Sequence, residues 1–411
     1  MKIAMATEYF WPHDLGGSEW STYYLARQLI NEGHEVIIIT PNYGSKNREV
    51  WRKISIFRFP FYQKIKGGTA ISPFWHTNIL WIILSTFYLI KICKAEKIDA
   101  LHIQGKYYSP AGYITKLILR IPAILTVRDY QLICNYGFCI WNNKKSCNLK
   151  EYFTQDLKQY LENYVPNKTM FSLISNLAFA LRARIIRNIF KYFALKMTRI
   201  ICISKAQTKI YKGNGFKKVN VIYNSMEFNL RKKTKVENKI VFAGRLTPGK
   251  GINLLMQSMP EVLQKFPKLQ IQIIGEGILK KSLEKLAKKN PNVKLEGQIS
   301  HTKLLNTFSK SLVTVMPSIW PEPFGRIALE SISQGTPVVV TRNGGLSEII
   351  DHGKTGYVCP QTTSALAMSI IMAIKNNKEL RNNIRSGAGL LKKKFHQSPA
   401  QKYIKIYENT V

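Results

Sequence analysis

Short apolar runs alternate along the chain with longer segments whose apolar residues recur at helical spacing. The runs predict strands at 2–7, 35–40, 54–59, 99–104, 123–127, 199–204 and 219–223, then at 239–244, 269–275, 292–296, 312–316, 337–341 and 357–359. Strands apolar throughout are buried on both faces, and the helices between them supply the cover. The pattern therefore predicts an α/β protein with two doubly wound, Rossmann-like parallel sheets. Residues 231–238 (Arg-Lys-Lys-Thr-Lys-Val-Glu-Asn) are polar and read as a linker between an N-terminal domain, 1–230, and a C-terminal domain, 239–395. Ser18 is expected to cap a helix running to Gly33, and a last helix is expected at about 399–408, within residues 396–411.

Composition fits this picture. A chain of 411 residues, 45% of them hydrophobic, is long enough to bury a core in each of two domains and is not a disordered tail. Residues 1–7 enter a strand directly, with no charged leader ahead of an apolar run, so the chain is expected to act on the cytoplasmic side. Cys93, Cys202 and Cys359 sit in apolar runs and read as reduced core residues. Cys134, Cys139 and Cys147 lie closer together, but they contain no CxxC pair and suggest no fourth ligand, so no metal is expected.

Two stretches carry candidate chemistry. Pro321-Glu322-Pro323-Phe324-Gly325 approaches a short helix from Arg326 to Gln334, closed by Gly335, with Glu330 about one turn inside it. The open N–H groups of such a helix favour phosphate, while Glu322 and Glu330 accept from hydroxyls, so together they suit a sugar and a ribose flanking a diphosphate. Upstream, the strand ending at Gly244 runs into Arg245-Leu246-Thr247-Pro248-Gly249-Lys250-Gly251 before a helix near Ile252. Arg245 and Lys250 thus flank a loop at the carboxyl end of a strand, where open α/β sheets bind ligands, and their charges neutralise a diphosphate.

These motifs, with Gly335-Thr336-Pro337-Val338-Val339 and Gly344-Gly345 in the same order, resemble the retaining glycosyltransferases of the GT-B fold, family 4. The resemblance covers nearly the whole chain. It implies two Rossmann-like domains facing a central cleft, and a nucleoside diphosphate sugar as donor with no cofactor. In that frame Arg245 and Lys250 hold the diphosphate, Glu322 with the backbone of Phe324 and Gly325 holds the sugar, Glu330 holds the ribose, and Glu276 of Gly275-Glu276-Gly277 lies near the nucleotide. Gly16 and Gly17, in the loop Asp14-Leu15-Gly16-Gly17-Ser18, would let the backbone approach the donor. The final helix is expected to cross back to the first domain.

One departure from the family pattern bears on mechanism. Many relatives carry a histidine where this chain has Arg128, and arginine is no base at neutral pH. Either Asp129 or His102 assists the acceptor, or the departing phosphate itself takes the hydroxyl proton in a front-face reaction with Arg128 as an anion or acceptor contact. The expected activity is retaining transfer of a hexose to a glycan or lipid-linked acceptor. A catalytically idle sugar-nucleotide-binding or membrane-scaffold subunit is the alternative.

Charge adds a partner. With 61 Lys and Arg against 24 Asp and Glu, the chain carries +37. No nucleic-acid-binding motif accompanies that charge, so an anionic membrane surface is expected instead, at the inner face of the plasma membrane. The run 79–90 is shorter than the roughly 20 residues of a spanning helix, and is either an interfacial helix or a core helix. The stretch 179–196 sets Arg184, Arg187 and Lys191 on one helical face, with Ile185, Ile186, Ile189, Phe190 and Phe193 around the other, which predicts an interfacial helix; a packed helix with a basic solvent face is the alternative.

Overall fold

A computed structural model describes residues 1–410 except 15, 62, 64, 66–70, 138, 141–144, 166–169, 229 and 232–233. Leu15 of the glycine-rich loop and Lys232 and Lys233 of the expected linker lie outside the described residues. The chain divides into two units. Unit 1 comprises Met1–Glu227 with Lys394–Val411, and unit 2 comprises Phe228–Lys393.

The sheet of unit 1 contains β1 (Lys2–Ala6), β2 (Glu35–Pro41), β3 (Arg48–Trp51), β4 (Ile54–Phe59), β5 (Ala100–Ile103), β6 (Ala123–Val127), β7 (Arg199–Cys202) and β8 (Val219–Val221). Their spatial order is β3-β4-β2-β1-β5-β6-β7-β8. Every neighbouring pair is parallel except β3 with β4. That antiparallel edge was not expected from the sequence, because Arg48-Glu49-Val50-Trp51 lacks an apolar run. Its cause is local. Arg52 and Lys53 both take positive φ in the turn, and the buried Arg58 of β4 donates to the Glu49 carboxylate of β3 at 2.6 Å. A buried guanidinium needs such a partner.

Unit 2 holds β9 (Glu237–Ala243), β10 (Gln270–Ile274), β11 (Val293–Glu296), β12 (Ser311–Met316), β13 (Val338–Thr341) and β14 (Gly356–Cys359), in the order β11-β10-β9-β12-β13-β14. All five pairings are parallel. Burial on both faces explains the apolar runs: Ile240 and Phe242 of β9 face one core, and Val241 and Ala243 face another. The strand order reverses between β9 and β12, and between β1 and β5 in unit 1. Such a switch point opens a crevice at the carboxyl ends of the strands.

The helices used below are α1 (Gly17–Asn31), α2 (Ile79–Ala95), α3 (Ser109–Leu119), α4 (Met170–Leu195), α5 (Ile252–Lys265), α6 (His301–Ser309), α7 (Arg326–Ser333) and α8 (Ser398–Glu408). Ser18 does not cap α1: Gly16 stands at the N-cap position without a side-chain cap bond, and Ser18 donates to Glu19. The last helix, α8, belongs to unit 1, where Tyr403 and Tyr407 are buried against its core. Tyr407 Oη lies 2.6 Å from His102 Nδ1, His102 Nε2 lies 2.7 Å from Thr126 Oγ1, and Thr126 Oγ1 lies 3.0 Å from Tyr403 Oη. The imidazole is fully buried, and burial followed by the nearby Arg128 lowers its pKa to about 3.

Truncating Tyr407→Ala is expected to cost unit 1 about 3–5 kcal/mol, as loss of a buried aromatic does. Thermal or denaturant unfolding checks this, and an unchanged midpoint would contradict it. Since His102 stays neutral when folded but titrates near 6.5 when unfolded, its contribution is present above that pH and is lost as pH falls from about 6.5 toward 3. His102→Gln is expected to flatten that part of the stability profile.

Candidate active site

In unit 2, the loops after β9 and β12 meet at the switch point. The first runs through Arg245 to Gly251, which takes φ +71 at the start of α5. A Cβ there would lie 1.8 Å from the Pro317 carbonyl oxygen, so glycine is what lets the loops touch. The Gly249 carbonyl accepts from Ile319 N at 3.1 Å and Trp320 N at 3.0 Å. Lys250 donates to Glu322 Oε1, which also accepts from Ser318 Oγ at 2.7 Å. Glu322 is buried, and burial works to raise its pKa. Lys250, then Ser318 and Arg245, outweigh that and hold the carboxyl below its ordinary range.

A third strand end fixes the second loop. Thr341 Oγ1 donates to the Ser318 carbonyl at 2.6 Å, Asn343 Nδ2 to Ile319 at 2.6 Å, and Gly345 N to Glu322 at 2.7 Å. Gly344 takes φ +59, and a Cβ on it would sit 2.2 Å from the Glu322 carbonyl oxygen. Phe324 is buried, and Gly325, at φ +103, is the N-cap of α7 without a side-chain cap bond. That leaves the helix start to be satisfied by something other than its own cap.

Glu330, also buried, lies inside α7. Its Oε1 accepts from Arg326 Nε at 2.7 Å and pairs with His301 Nε2 at 3.0 Å. Burial opposes its charge, but Arg326 and His301 keep the carboxyl below its usual range. His301, at the start of α6, was missed in the sequence. Its only signal was Ser300, whose hydroxyl accepts from Lys303 N as a helix cap. Arg245 is exposed, and its side chain makes no hydrogen bond or ion pair among the described residues, while its charge reaches Glu322. Glu276 is exposed and pairs with Lys280 at 2.8 Å. Unit 2 therefore joins Arg245, Lys250, Glu322, Phe324 and Gly325 around one junction, with Glu330 on the adjoining helix.

In unit 1, Gly16 and Gly17 open α1, with Gly16 at φ +146. Arg128 donates to Gln104 Oε1 at 2.6 Å and to Asn224 Oδ1 at 3.0 Å. Asp129 accepts from Lys106 Nζ at 2.6 Å. His102 corrects an expectation. It does not open toward an acceptor, because both ring nitrogens are engaged in the buried Tyr407 and Thr126 contacts, and burial removes its basicity. Glu8, which sequence reasoning missed, follows β1 at the switch point, and burial raises its carboxyl to about 7. Beside it, Glu19 is buried with Oε2 lacking a hydrogen-bond partner. A cavity of about 360 Å³ in the same unit is lined by Lys106, Tyr107, Tyr136, Arg182, Arg187 and Phe190, among others.

A further expectation is corrected. The cations of α4 do not form an exposed basic face: Arg187 is buried and Arg184 and Lys191 are half-buried, while Ile174, Leu177, Leu181, Ile185 and Ile189 are exposed. Arg187 Nη1 donates to the Ile133 carbonyl at 2.9 Å and Arg184 lies over the Tyr152 ring, so protein partners draw the cations inward. The helix α2 packs as a core helix on one side, with Trp81, Ser85, Leu89 and Cys93 buried, and exposes Ile79, Leu80, Ile83 and Phe87 on the other. No helix among the described residues is long and apolar enough to cross a membrane. Finally, Cys134, Cys139 and Cys147, which the sequence places close together without a CxxC pair or an evident fourth ligand, converge with their sulfurs within 4.8 Å of one another.

The sequence matches two family models: Glycosyltransferase Family 4 over residues 15–228, and Glycosyl transferases group 1 over residues 226–389. It is 27% identical to an uncharacterized glycosyltransferase of Methanocaldococcus jannaschii, over 90% of this chain and 88% of that one. It is 25% identical to the GPI3 subunit of phosphatidylinositol N-acetylglucosaminyltransferase of Saccharomyces cerevisiae, over 98% of this chain and 79% of that one. In fold it is similar to Anabaena HepE in complex with UDP and glucose (TM-score 0.67, 16% identity, covering 100% of each chain). Sucrose-phosphate synthase of Thermosynechococcus elongatus gives a TM-score of 0.70 at 17% identity, covering 99% of this chain and 98% of that one.

Replacing Gly344 with Ala is expected to push the Glu322 backbone away and to lower the stability of unit 2 by about 1–3 kcal/mol, the usual scale of imposed backbone strain. A denaturation midpoint equal to that of the unaltered protein would contradict the clamp.

Proposed function

The chain belongs to glycosyltransferase family 4, a GT-B group, and from that premise we propose that it is a retaining enzyme moving a hexose from a nucleoside diphosphate sugar to a lipid-linked or glycan acceptor. The observation carrying the donor assignment is the junction in unit 2, where the exposed Arg245, the Lys250–Glu322 pair and the uncapped start of α7 stand together. Arg245 and Lys250 counter the diphosphate, and the first N–H groups of α7 with the backbone of Phe324 and Gly325 reach its oxygens and the sugar. Glu330 accepts from the ribose, Glu322 from hexose hydroxyls, and Glu276 lies toward the nucleotide. No cofactor is required for this chemistry. The Anabaena structure, described with UDP and glucose, supports a UDP-type donor.

In the proposed step the bond from the anomeric carbon to the diphosphate breaks as the acceptor oxygen bonds to the same face, retaining configuration. The leaving phosphate oxygen takes the acceptor's proton, and Arg245 and Lys250 stabilise the charge that builds on it. Arg128 and Asp129 of unit 1, with Gly16 and Gly17 at the start of α1, serve positioning.

Three features support a lipid-linked acceptor at an anionic membrane, which we place at the inner face of the plasma membrane. The exposed residues of α4 recur at helical spacing, α2 and α3 add Ile79, Ile83, Phe87, Leu117 and Ile118, and the chain carries +37. The opposite side of α4 lines the unit 1 cavity. The yeast relative, named for transfer to phosphatidylinositol, points the same way.

Steady-state kinetics tests the donor roles. Glu330→Ala is expected to raise the donor KM about tenfold, consistent with a hydrogen bond to a charged group, while Glu322→Ala lowers kcat by about 100-fold or more. Equal effects on KM with unchanged kcat would contradict the division. Liposome flotation tests the membrane face: binding is expected to need anionic lipid, to weaken with salt, and to fall at least about tenfold in Ile185→Gln/Ile189→Gln, since burying each isoleucine yields about 1.5–3 kcal/mol. Equal binding to neutral vesicles would overturn it.

A further inference from the structure

We propose that unit 1 contains a structural zinc site built by Cys134, Cys139 and Cys147, with Asp156 as fourth ligand. The three sulfurs are buried and lie within 4.8 Å of one another. Tetrahedral coordination at a Zn–S distance of about 2.3 Å places sulfurs about 3.8 Å apart, so closing on a metal takes only a small contraction. Asp156 is fully buried, and its Oδ1 lies 3.1 Å from Cys134 Sγ. Its other oxygen accepts from Tyr136 N at 3.2 Å, the kind of outer contact that orients a metal-ligating carboxylate.

A second observation is the charge gathered around the thiols. Arg187 is buried, with one guanidinium nitrogen held by the Ile133 carbonyl. Arg184, one turn earlier on the same helix, has a buried Nη1 without a hydrogen-bond partner. Both act electrostatically on Cys147. A buried and a half-buried guanidinium call for compensating negative charge, of which three neutral thiols supply none and Asp156 one unit. Binding of Zn²⁺ releases the three thiol protons and, with the Asp156 carboxylate, leaves a cluster of charge −2, which the two guanidiniums balance. A disulfide is a poorer solution, because it pairs two of the three sulfurs and strands the third.

The metal would staple the segment from Cys134 to Asp156. That segment begins five residues after Asp129 and contributes Asn135 and Tyr136 to the cavity wall. Bound zinc would thereby set the shape of that wall.

The test is elemental analysis of the full chain purified under reducing conditions without added metal or chelator. About one zinc per chain is expected, falling to a small fraction in Cys134→Ser, Cys139→Ser and Cys147→Ser, and unchanged in Cys93→Ala. Asp156→Asn is expected to keep the site but to bind zinc about tenfold or more weakly. Should the serine variants fail to fold, the unaltered protein is stripped and titrated with Co²⁺, which is expected to give sulfur-to-cobalt charge transfer and intense tetrahedral d–d bands. A metal-free protein that shows no such bands, or a disulfide among these cysteines under the same reducing conditions, would overturn the proposal.

Discussion

The Lys250–Glu322 pair, its carboxylate buried and its ammonium half-buried, is the interaction on which the site of unit 2 depends. It joins the loop after β9 to the loop after β12, across the point where the sheet order reverses. Desolvating two charges is costly, and a buried pair persists only when its remaining valences are met. Here Ser318 donates to the same carboxylate and Arg245 adds a second positive field. Gly251 and Gly344 keep the backbones close enough for the pair to form, since a side chain on either would collide with a carbonyl oxygen. The outcome is a carboxylate held charged beside an exposed arginine and an uncapped helix start, which is the polarity a sugar diphosphate requires.

Unit 1 is organised differently. Its core includes a chain of hydroxyl and imidazole contacts from Tyr403 through Thr126 and His102 to Tyr407, which attaches the last helix to the sheet. Around that core, α4 buries Arg187 and exposes Ile174, Ile185 and Ile189. That placement follows from what the interior offers: the Ile133 carbonyl and the Tyr152 ring are better partners for guanidinium than the apolar residues on the opposite face. The exposed apolar stripe is the consequence.

Much of the fold was legible because strands buried on both faces are written as unbroken apolar runs. Those runs place β1, β2 and β4 to β14, and the carboxyl ends of β9 and β12 place Arg245, Lys250, Glu322 and Glu330. The edge strand β3 was not legible, since its pairing rests on a contact between Glu49 and Arg58 rather than on a pattern. Helical periodicity reported two faces of α4 but not which one faces the core. His301 and Glu8 carried no local motif, as both acquire their partners from distant segments. The cysteine cluster was hidden for the same reason: Asp156 lies well outside any spacing rule that would nominate it as a ligand.

The most direct measurement of the central claim is a thermal-shift panel of UDP, GDP and ADP sugars on the purified chain, with Arg245→Ala in parallel. The account predicts that one nucleotide class stabilises the protein selectively and that the stabilisation disappears in the arginine variant. Stabilisation by no donor, or stabilisation that survives Arg245→Ala, would contradict it.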